Sequence, residues 1–88
     1  MAKVFYSPDF NDAAMALGGI AKIDAVLAPL FDALERNPYA FKVIENEWVR
    51  CRYGVTKPFG DIPALLVTFN IDDEGDVIMR YVEEFLPY

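Results

Sequence analysis

Eighty-eight residues make one small domain, residues 1–88, because domains commonly run from ~50 to ~200 residues. Apolar residues form 55% of the chain and charged ones 25%, with seven Phe, five Tyr and one Trp, which excludes intrinsic disorder. The net charge of −6 argues against broad, non-specific nucleic-acid binding, though a local basic patch is compatible with it. With no histidine and a single cysteine, Cys51, the chain cannot build a Cys/His zinc site, a Ser-His-Asp triad, a Cys-His pair or an internal disulfide. No apolar run approaches the ~18 residues of a membrane span. Pro8 and Asp9 interrupt the opening segment too early for a signal peptide. The expectation is a soluble cytoplasmic domain with no membrane association. Its apolar content is high for so small a globule, which exposes much of its surface, so some apolar side chains are expected to meet a partner or a second copy.

Lys3-Val4-Phe5-Tyr6 is a short strand-prone run that stops at Ser7-Pro8. Ser7 suits a helix N-cap, Pro8 the first helical position and Asp9 the first turn. Phe10, Ala13, Ala14 and Leu17 then form one apolar stripe, and Gly18-Gly19 ends the helix. In a second helix Ile20, Ile23, Leu27, Leu30, Phe31 and Leu34 keep a 3.6-residue period up to Asn37-Pro38. Pro29 interrupts it, and the unbroken phase of the stripe favours a kink over a split.

From Phe41 onward the pattern alternates. Over 48–55, Val49, Cys51, Tyr53 and Val55 fall on one face and Trp48, Arg50 and Arg52 on the other. Residues 56–63, with Pro58, Gly60 and Pro63, read as a loop. Leu65, Val67, Phe69 and Ile71 alternate with Leu66, Thr68 and Asn70 in a strong strand. The run 72–76 is a hairpin turn, and 77–85 the last strand, with Val77, Met79 and Tyr81 opposite Ile78, Arg80 and Val82. The sum is an α+β fold of order β-α-α-β-β-β, an antiparallel sheet with both helical segments on one face. In its core Val49, Cys51, Leu65, Val67, Phe69, Val77 and Met79 meet Phe10, Ile23, Leu27, Leu30 and Leu34.

On these faces Arg50, Arg52 and Arg80 share the open side of the sheet with Trp48. Guanidinium forks suit phosphate and an indole can stack a base, so Trp48, Arg50, Arg52 and Arg80, with Lys57 from the loop, form a candidate RNA- or partner-binding face. Cross-strand pairing with Glu45 or Glu84 is the structural alternative. Asp72, Asp73, Glu74 and Asp76 lack the spacing of a calcium loop and suit a turn, so neither a metal nor another cofactor is expected. Cys51 reads as a small core hydrophobe. Glu83 and Glu84 point to opposite faces of a strand and do not form a glycosidase-type pair on their own.

The order of elements, with Tyr6-Ser7-Pro8-Asp9-Phe10, Leu34 and the Asn37-Pro38 exit, Arg50-Cys51-Arg52-Tyr53-Gly54 and the strand from Leu65 to Asp72, resembles the RelE/ParE superfamily of toxin-antitoxin proteins. The resemblance implies ribosome-dependent cleavage of messenger RNA or inhibition of gyrase, neutralised by an antitoxin peptide. It matches Arg50 and Arg52 to the family's Arg-x-Arg strand, and Tyr88 to a C-terminal tyrosine of some cleaving members. This chain has Leu65 or Leu66 where such toxins often carry an arginine, and Glu83-Glu84 where their last strand ends in basic residues. The expectation is therefore a toxin-related protein acting through protein binding, to an antitoxin-like peptide or a second copy, with RNA a weak partner and catalysis weak or lost. The alternatives are an active messenger-RNA endonuclease using the arginines, and a non-catalytic homodimer.

Overall fold

The computed structural model describes residues 3–45, 47 and 50–85. Trp48, Val49 and Tyr88, and the side chain of Ile20, lie outside the described residues. The elements follow as β1 (Val4–Tyr6), α1 (Pro8–Ala16), α2 (Ile20–Arg36), a 3-10 turn (Pro38–Ala40), β2 (Lys42–Glu45), β3 (Arg50–Val55), β4 (Leu65–Ile71) and β5 (Val77–Glu84). The strands form one sheet in the order β1-β5-β4-β3-β2. The fold is α+β, with the expected strand-helix-helix-strand opening.

Two features depart from a four-strand antiparallel sheet. Lys42–Glu45 folds back on β3 as a separate antiparallel strand, adding a fifth. β1 runs parallel to β5, its register held by Val77 N–H donating to Lys3 O at 2.8 Å and Ser7 N–H donating to Met79 O at 3.0 Å. A three-residue strand carries no sequence mark of its direction. The path of the chain through the helices decides it.

The helices form for local reasons. Ser7 Oγ accepts from Phe10 N–H at 3.1 Å and Pro8 opens the first turn of α1. α1 ends where Gly18 N–H donates to Met15 O and Gly19 N–H to Ala14 O, a Schellman closure made possible by φ of +108° at Gly18. α2 is a single helix that continues through Pro29. Phe10, Ala13 and Ala14 from α1 and Ile23, Val26, Leu27, Leu30 and Leu34 from α2 are buried against Leu65, Val67, Phe69, Val77, Met79 and Val82 of the sheet. Val26 joins the stripe from outside the expected period.

Directly opposed residues in a sheet share a side, so the register assigns every face. One rung runs Val43, Arg52, Phe69, Met79, Tyr6, and the next Gly54, Val67, Val82. Phe69, Met79, Val67 and Val82 face the helices, so Arg52 and Gly54 do too, and Arg50 with them. Cys51, Tyr53 and Val55 therefore point to the other side, the reverse of the sequence expectation for this strand. Cys51 is buried as expected, but outside the helix-side core. The cause lies at Gly54, where a Cβ would sit 2.8 Å from Leu30 Cδ1 and 2.9 Å from Phe41 Cε2.

A second reversal occurs on β5. The register slips between Thr68 and Phe69, leaving Arg80 as an extra residue. This bulge puts Arg80 and Tyr81 together on the outer side and turns Val82 inward, so Tyr81 is 47% exposed and Val82 only 2%. The simple alternation that placed Tyr81 with Met79 fails at this point.

Gly54→Ala is expected to cost about 1–3 kcal/mol in a denaturant melt, as an overpacked site. Unchanged stability would mean that β3 presents its other side to the helices.

Candidate functional site

The two helices cover one face of the sheet. Among the described residues, the rungs on the other face are Phe5, Ile78 and Asn70; Tyr81, Thr68, Tyr53 and Lys42; Glu83, Leu66 and Val55; and Cys51 with Ile44. Phe5 is 50% exposed, Val55 44% and Ile44 37%, while Tyr53, Leu66 and Ile78 are half-buried. The charges on these rungs are Lys42, Glu83 and the bulged Arg80. Aromatic and branched side chains therefore dominate this face; at its margins Val55 borders a groove shared with α2, and Tyr81 a cavity shared with α1.

The arginines do not converge. Arg80 lies on this open face, its Nε donating to Asn70 Oδ1 at 2.6 Å. Asn70 Nδ2 in turn donates to Arg50 O at 2.8 Å, which ties β4 to the end of β3. Arg52 lies on the helix side, where its guanidinium donates to Phe41 O at 2.7 Å and Tyr39 O at 3.2 Å and sits 5.5 Å from the centre of the Tyr39 ring. Arg50, also on that side, faces Glu45 with Nε and Oε2 3.8 Å apart, a solvent-exposed pair of small energetic weight. The expected Arg50–Glu45 pairing is thus present, whereas Arg52 bonds backbone carbonyls through Nη1. Glu84 also lies on the helix side, opposite Leu65, and it is Glu83 that shares a face with Arg80.

Arg50 and Arg52 line a cleft of about 240 Å³ with Tyr39, Val43 and Ile71. Tyr39 is the residue that sequence reasoning missed. It lies in the 3-10 turn after Asn37, whose side chain accepts from Tyr39 N–H at 3.2 Å, and only tertiary folding places it beside Arg52. Lys57 lines a different cavity from Arg50, Arg52 and Arg80. It borders an apolar groove between α2 and the segment after β3, lined by Val26, Pro29, Leu30, Phe41, Val55 and Phe59.

The acidic run is built as a turn. Asp72 Oδ1 accepts from Glu74 N–H at 3.0 Å and Asp76 N–H at 2.9 Å, and Asp76 Oδ1 accepts from Lys3 N–H at 3.1 Å. Carboxylate oxygens of Asp72, Glu74 and Asp76 lie within 4.8 Å of one another on this turn. On the helix side Tyr6 stacks on Phe10 at 5.4 Å and meets Phe31 edge-on at 6.0 Å. Burial, and then the Asp24 carboxylate, raise the Tyr6 phenol above its ordinary pKa of 10.0.

No family model matches the chain, and no curated protein or solved structure matches it. Among the described residues, no helix is long and apolar enough to cross a membrane.

Two predictions follow from these placements. Arg52→Ala leaves the Phe41 carbonyl without its charged donor and is expected to cost about 1–2 kcal/mol, whereas Arg80→Ala should stay within about 0.5 kcal/mol; thermal melts of the pair check this. A raised phenol pKa means that the folded chain keeps a proton which the unfolded chain releases near pH 10, so stability declines as pH rises through that range. Tyr6→Phe should make this alkaline decline shallower in melts taken at increasing pH.

Proposed function

We propose that this chain is a toxin-related module of RelE/ParE type that works by holding a protein partner across the open face of its sheet, without cleaving RNA. The observation that carries the reading is that face: Phe5, Ile44, Val55 and Tyr81 stand 37–50% exposed on contiguous rungs, beside half-buried Tyr53, Leu66 and Ile78. Monomeric proteins rarely leave large contiguous apolar patches uncovered, and aromatic side chains are the usual anchors of protein interfaces.

The arrangement of cations supports the non-catalytic half of the reading. Cleavage through a 2′-OH needs several donors aimed at one phosphate, where a single donor can be worth ~3–4 kcal/mol. Arg52 and Arg80 project from opposite sides of the sheet, and Arg52 commits its Nη1 to Phe41 O and Tyr39 O. The open-face cations, Lys42 and Arg80, stand on different strands and share the face with Glu83, in a chain of net charge −6.

The test has two arms. A tagged chain made at its native level should elute from cell extract well above its own 10.0 kDa, and a Phe5→Asp/Tyr81→Asp variant with an unchanged melt should elute at the size of one chain. Elution of the parent as a lone chain would overturn the binding role. On induced expression, transcripts should stay intact and growth should match that of Arg50→Ala/Arg52→Ala. Cut transcripts that vanish in that variant would instead make the chain a nuclease.

A further inference from the structure

We infer that the occupant of the open face is a second copy of this chain, packed sheet on sheet about a two-fold axis that sets Arg80 of each copy against Glu83 of the other. The inference rests on the open face being a protein-binding surface, and it names the protein.

A closed dimer uses the same patch on both copies, so the patch must complement itself. The charges on this face meet that condition. Arg80 and Glu83 lie on one strand, three residues apart, and the bulge at Arg80 brings both to the outer side while Val82 turns in. Asn70 Oδ1 holds the Arg80 guanidinium over the face at 2.6 Å. Consider a two-fold axis lying between two such sheets, along the rungs, at the level between Tyr81 and Val82. It lays β5 antiparallel over its copy, so that Arg80 meets Glu83 twice. Tyr81, Thr68 and Tyr53, which form the rung beside that axis, become the centre of the contact. Aligned sheets pack about 10 Å apart, a gap that aromatic and long polar side chains from both sides can fill.

Net charge points the same way. A chain of −6 repels its copy, and association costs least through surface poor in carboxylates. Of the fourteen Asp and Glu residues, Glu83 is the one that projects from the open-face rungs, where Lys42 and Arg80 stand against it. The hairpin-turn acids lie off these rungs, and the nearest helix acids, Asp9 and Asp12 of α1, border the cavity at the margin of the face that Arg80 and Tyr81 also line.

Sedimentation of the purified chain at micromolar concentration should give twice 10.0 kDa. Arg80→Glu and Glu83→Arg should each weaken the dimer by at least about a hundredfold through like charges brought together. An equimolar mixture of the two variants should restore a dimer, because both cross-pairs are then opposite in sign. Unchanged melts in both variants keep the comparison one of association. A monomeric parent would overturn the inference, and if the same chain still elutes as a large species from cell extract, the open face binds another protein and the proposed function stands. Single variants that stay dimeric, or a mixture that stays monomeric, would overturn the Arg80–Glu83 pairing.

Discussion

The close approach of Leu30 and Phe41 to Gly54 determines how this molecule presents itself. Where α2 crosses the sheet there is no room for a side chain on β3, so the strand turns its one glycine inward. Phe41 then reaches Phe69 edge-on, at 5.4 Å between ring centres, and closes the core beyond the end of α2. Because strand faces alternate with period two, this contact commits the whole of β3. Arg50 and Arg52 go to the helix side, where Arg52 finds the carbonyls of the turn that follows α2. Cys51, Tyr53 and Val55 go to the side that the helices leave bare.

The bulge at Arg80 completes the separation. With regular pairing, Tyr81 would face the helices and Val82 the open side. The extra residue exchanges them and leaves Arg80 beside Tyr81. A phosphate-binding cluster needs its cations on one surface, and these two local events place Arg52 and Arg80 on opposite surfaces. They also concentrate half-exposed aromatic and aliphatic side chains where carboxylates are sparse. The same backbone choices that disperse the cationic patch assemble the apolar one.

Much of the fold was legible because its signals are local. Ser7-Pro8, Gly18-Gly19 and Asn37-Pro38 cap and end the helices through hydrogen bonds to residues a few positions away, and the stripes of α1 and α2 bury nearly as their periods demand. β4 was equally plain, since Leu65, Val67, Phe69 and Ile71 are all apolar on one parity while Leu66, Thr68 and Asn70 are mixed on the other. β3 was not, because its more apolar parity, Cys51, Tyr53 and Val55, is the one the fold turns outward, and a glycine carries no hydropathy mark of a buried position. Tyr39 gave no signal as a neighbour of Arg52, because the contact spans a turn and two strands.

The amino-acid sequence by itself therefore determined the class of fold, the helix limits, the central strand and the absence of histidine-dependent chemistry, all of which depend on residue type and short-range spacing. Only the tertiary structure decided which side of β3 faces the helices, that β1 runs parallel to β5, and that Arg80 interrupts the alternation of β5. Each of these is a relation between segments far apart in the chain. A strand's register and facing are set by the neighbours it packs against, here Leu30, Phe41 and the β4 ladder, and no single strand encodes them.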